Sequence, residues 1–113
     1  MAGFDCSGFV IEILQSVGIL ARNFDTTAQG LYDMFPKVLT PSEGCLAFWR
    51  GSGQRVIHVE YCIDSVHSIG ASGGGSGTIT VKEAIEQNAY IKVRPFRSRS
   101  GLVGYFADPF KAG

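Results

Sequence analysis

At 113 residues the chain is long enough for one hydrophobic core and too short for two. Hydrophobic residues make up 45% of it and charged residues 18%, and ten basic side chains cancel ten acidic ones, so no large field is available to hold nucleic acid or an anionic membrane surface. No apolar run approaches the roughly 20 residues needed to span a bilayer, and Met1 is followed by no signal-like hydrophobic region, so export would use something outside these residues.

Along the chain, Phe9, Val10, Ile13, Leu14 and Val17 recur at steps of three and four, which predicts a helix from Cys6 to about Gly18 with one buried face. Asp5 is placed to cap its start and Gly18 to stop it. A second short helix is expected over Thr26 to Met34, ending before Pro36. After the turn residues Pro41-Ser42-Glu43-Gly44, three strands are expected: Cys45 to Arg50, Arg55 to Ile63, and His67 to Ala71. Gly51-Ser52-Gly53 joins the first two, and a tighter turn at Asp64-Ser65 joins the second pair.

The run from Ser72 to Gly77 lacks the Gly-Lys-Ser/Thr ending of a phosphate loop and reads as a flexible lip beside a cleft. Thr80-Val81-Lys82-Glu83 has the form of a capping box opening a helix to about Asn88. Strands over Tyr90 to Val93 and Leu102 to Phe106 follow, separated by a basic loop from Phe96 to Gly101 and closed by Asp108-Pro109. Arg94, Arg97 and Arg99 form a local basic cluster that reads as solvated loop rather than as a site for an acidic ligand. A helix first and antiparallel strands afterwards gives the α+β class, in a single domain over 1–113.

Three widely spaced cysteines, Cys6, Cys45 and Cys62, fit neither a disulfide framework nor the paired spacing of zinc sites, and no cofactor or metal is expected. Cys45 and Cys62 lie in apolar strand sequence and read as small buried residues. Cys6 differs, because it opens a helix. The first-turn amides have no partner within the helix, and their partial positive charge favours thiolate over thiol. An inert core thiol is the alternative, but Asp5, Ser7 and Gly8 are poor core material, and Gly8 lets a ligand approach the backbone closely. His58 lies in Val56-Ile57-His58-Val59, where strand alternation sets it on one face with Glu60 and Cys62. From that pattern alone it is either a satisfied core histidine or the base of a thiol–imidazole pair.

The run Asp5-Cys6-Ser7-Gly8-Phe9-Val10, followed by Gly44-Cys45-Leu46-Ala47-Phe48-Trp49 and His58-Val59-Glu60-Tyr61-Cys62-Ile63, resembles the NlpC/P60 family of cell-wall cysteine peptidases, over nearly the whole chain from Phe4 to about Phe110. The segment from Ala71 to Arg94-Pro95 and Asp108-Pro109-Phe110 looks most like the short phage and prophage branch. The resemblance implies a papain-like α+β fold in which an N-terminal helix carries the cysteine against an antiparallel sheet. It implies hydrolysis of an amide bond in peptidoglycan stem peptides, with Cys6 as nucleophile and His58 as base. It further implies that the Cys6 and Ser7 region helps hold the oxyanion and that Asp5 and Ser7 contact the free amine of the substrate.

The chain departs from the family pattern in three places. The polar residue that orients the base on the next strand, often histidine, aligns with Gly70, which has no side chain to do it. His67 lies on the opposite face in a regular strand, and only a shifted hairpin register would bring it round; otherwise a backbone carbonyl, a water or a residue from elsewhere orients His58. Glu60 stands where the family often has glycine; turned toward the ring it would favour an imidazolium, and turned away it would face solvent. Only four residues precede Asp5, where family members usually carry a longer segment, so a fragment, a truncated paralogue and a minimal enzyme are all consistent with the sequence. Two other functions fit the same residues: a non-catalytic cell-wall-binding or structural domain, and a thiol acyltransferase or amidase on the same fold.

Overall fold

The computed structural model describes residues 6–71 and 91–111. Asp5, the Ser72 to Gly77 run, the helix expected from Thr80 and Tyr90 lie outside the described residues. The first helix, α1, spans Cys6–Ser16 and buries Val10, Ile11 and Leu14. Gly18 closes it with φ +83°. The Gly18 amide donates to the Gln15 carbonyl (3.1 Å) and the Ile19 amide to the Leu14 carbonyl (2.9 Å), a Schellman arrangement that satisfies the helix's last acceptors. Val17, expected on the buried face, is 53% exposed because the helix has already ended.

The second helix, α2, spans Ala28–Met34 and starts two residues later than expected. Thr27 is extended, and its hydroxyl caps the helix by accepting from the Gly30 amide at 3.1 Å. Phe35, ahead of Pro36, is extended as a residue before proline must be, and this ends α2.

Six described strands make one antiparallel sheet: β1 Lys37–Val38, β2 Leu46–Arg50, β3 Val56–Cys62, β4 His67–Ala71, β5 Ile91–Pro95 and β6 Phe106–Ala107, in the order β1-β6-β2-β3-β4-β5. β1 was not foreseen; two residues after a proline carry no readable alternation. The last strand begins later than expected. Leu102 makes only a single bridge, to Trp49, and regular pairing resumes at Phe106.

Alternation along β2 and β3 splits the core in two. Leu46, Phe48 and Val59 pack with Val10, Ile11 and Leu14 of α1 and Ala28 and Leu31 of α2. Cys45, Ala47, Trp49 and Cys62 pack with Phe96 and Phe106 in a second cluster. The Val56 amide donates to Gln29 Oε1 (2.9 Å), which ties α2 to the start of β3. The fold is therefore α+β, with the N-terminal helices packed on the sheet.

The turn between β3 and β4 sets their register. Asp64 Oδ1 accepts from the amides of Val66 (2.8 Å) and His67 (2.6 Å), and the strands then pair Cys62 with Ser68 and Tyr61 with Ile69. One step further along, Glu60 meets Gly70.

Candidate active site

Cys6 is the first residue of α1, half-buried, with its Sγ 3.8 Å from the Ile57 carbonyl oxygen of β3. His58 is the next residue on that strand and is 7% exposed. It pairs across the ladder with Trp49 of β2, whose ring stands edge-on to the imidazole with centroids 5.2 Å apart and planes at 61°. The other side of the ring is held from its own strand: His58 Nε2 lies 2.7 Å from Glu60 Oε2. With Nε2–H donating to a carboxylate, Nδ1 is the nitrogen left to face the thiol.

Glu60 is 1% exposed and does not face solvent. Its second oxygen accepts from the Ser68 hydroxyl of β4 at 2.7 Å, and Ser68 pairs with Arg94 of β5. His58, Glu60, Ser68 and Arg94 thus follow one another across three strands on one face of the sheet.

The electrostatics follow from these contacts. Burial alone pushes the His58 pKa down, but hydrogen bonding with the Cys6 and Glu60 side chains, and the negative charge each carries when ionised, override it and hold the imidazole above its ordinary value. Burial alone pushes the Glu60 pKa up. Hydrogen bonds from His58 and Ser68 and the positive charges of His58 and Arg94 reverse this and hold its carboxyl below the usual range.

The structure brings Cys6 and His58 together. Ser7 follows Cys6 in the first turn of α1, half-buried, while Asp5 lies outside the described residues. His67 is elsewhere. Its Nδ1 lies 3.2 Å from Asp64 Oδ2, with 42% of the side chain exposed, and the observed register leaves it at the turn end of β4.

Arg94 departs from the sequence reading. It belongs to β5 and its charge bears on Glu60, whereas Arg97 and Arg99 stand near the rings of Phe96 and Trp49. Ser68 was missed altogether, since a serine in a short strand carries no signal until its partner across the ladder is known. Cys45 and Cys62 are buried, and burial together with nearby Cys45, Glu60 and Asp64 pushes the Cys62 thiol up to about 12.

Among the described residues no cluster of three or more His, Cys, Asp or Glu side chains is placed to hold a metal ion, and no helix is long and apolar enough to cross a membrane. No protein-family model matches the sequence, and no curated protein is detectably similar to it. Among solved structures, the P60 domain of the M. avium subspecies paratuberculosis antigen MAP1204 is similar with a TM-score of 0.68 and 20% identity, over 96% of this chain and 68% of that one. The chain therefore has the fold of a P60 domain, with a cysteine at the head of its first helix and a histidine on the strand beside it.

Proposed function

We propose that the chain is a cysteine peptidase of NlpC/P60 type that hydrolyses an amide bond in peptidoglycan stem peptides. The observation that carries this reading is the meeting of Cys6, at the start of α1, with the imidazole of His58 in a P60 fold. The Cys6 thiolate attacks the amide carbonyl carbon while first-turn amides of α1 stabilise the oxyanion. The C–N bond then breaks, and the leaving amine takes its proton from the His58 imidazolium. A water molecule, giving its proton to His58, attacks the resulting thioester; the C–S bond breaks and the carboxylate product leaves with the thiolate restored. Asp5 and Ser7 are the residues proposed to contact the substrate's free amine.

Purified peptidoglycan or its soluble muropeptides, incubated with the protein and resolved by mass spectrometry, test the reading. The expected result is a new amine and carboxylate pair within the stem peptide, lost in both Cys6→Ala and His58→Ala. Residual activity within about tenfold of the parent in either variant would contradict the roles given, because residues acting as a unit each cost most of the rate.

A further inference from the structure

We infer that Glu60 is the positioning residue for the His58 imidazole, and that Gly70 supplies the space its carboxylate needs to reach the ring from the same strand. This deepens the proposed reaction by naming what orients its base. A glutamate two positions along a strand faces the same way as the histidine, and its side chain must lie along the sheet to bring Oε2 within 2.7 Å of Nε2. In doing so it fills the volume over position 70. A Cβ placed on Gly70 would stand 2.7 Å from Glu60 Cδ, nearer than real Cβ atoms come to a neighbour, and 3.1 Å from Glu60 Cβ, a tight contact.

Gly70 is not among the glycines of positive φ, so its backbone does not require glycine, and what it provides is room. The Glu60 side chain cannot give way without breaking a hydrogen bond, since it is buried and its two oxygens are held at 2.7 Å, one by His58 and one by Ser68. The position at which an orienting side chain was expected is thus empty because the orienting group has crossed the ladder and stands on β3.

Among the described residues, the charged and titratable groups that bear on the imidazole are Cys6 from α1 and Glu60 from β3, with Arg94 of β5 acting on Glu60, while β2 contributes the uncharged indole of Trp49. Removing the carboxylate removes one of the two charges that favour the imidazolium, so the His58 titration moves to lower pH. The test is an NMR titration of the His58 imidazole in the full chain, without substrate. Glu60→Gln should move it down. Gly70→Ala should do the same although it alters no charge, because the new methyl displaces the carboxylate.

The exchanged pair Glu60→Gly/Gly70→Glu, which sets the carboxylate diagonally from His58 within reach of a long side chain, should move the titration back up. His67→Ala should leave it unchanged. In turnover, Glu60→Ala should lower kcat by about 10- to 100-fold with little change in KM, and Glu60→Gln, which keeps an acceptor for Nε2–H, should retain more.

A His58 titration unmoved in both Glu60→Gln and Gly70→Ala would overturn the inference. Should Gly70→Ala fail to fold, Glu60→Gln and the exchanged pair decide it. The titration needs no substrate, so a chain that cleaves no stem peptide would overturn the peptidase reading and leave this result standing.

Discussion

Cys6, Cys45 and Cys62 carry the same thiol, and their surroundings separate them. Cys45 and Cys62 are 1% and 0% exposed inside the sheet's second core cluster, where reagent cannot reach and, for Cys62, the thiolate is disfavoured. Cys6 is half-buried at a helix start, with an imidazole beside it. Iodoacetamide at neutral pH should therefore modify Cys6 well before the other two in the folded protein, as peptide mapping by mass spectrometry would show. Equal labelling of all three, or labelling of Cys45 first, would contradict the nucleophile assignment.

At the scale of the element, α1 matters because it fixes where its first residue sits. Val10, Ile11 and Leu14 anchor the helix to the sheet, and Gly18 locks its far end. At Gly18 a Cβ would meet nothing within 4 Å, so substitution there acts through the backbone alone. Gly18→Ala must hold a left-handed conformation that costs an L-residue about 1 kcal/mol. The thermal midpoint should fall by a few degrees, while the alkylation rate of Cys6, at the opposite end of the helix, stays as it was. An unchanged midpoint would show that the cap contributes nothing to stability.

For the whole molecule, what could be read from the sequence was what local chemistry decides. The period of Phe9, Val10, Ile13 and Leu14 and the stop at Gly18 located α1, and the apolar runs located β2, β3 and β4. The order of helix and strands supplied the α+β class. Pairing across the sheet was not legible. Glu60 and Gly70 looked like two separate departures, and only the register set at Asp64 shows that one makes room for the other. Arg94 was misplaced for the same reason: its neighbours in sequence are Arg97 and Arg99, but its neighbour in the sheet is Ser68. α1 also ended short of Val17, because the Gly18 cap takes effect before the apolar period runs out.

Trp49 is the chain's single tryptophan. It joins β2 to β3 through its contact with His58 and to the segment after β5 through its Nε1–H, which donates to the Arg99 carbonyl at 3.3 Å. Its edge-on packing against the imidazole gives the protein a built-in optical probe, since a charged imidazolium drains excited-state energy from an adjacent indole more effectively than the neutral ring does. Emission at constant protein concentration should brighten as pH rises through the raised His58 titration, and the step should vanish in His58→Ala. The protonation state of His58 can thus be followed by light in the unlabelled protein.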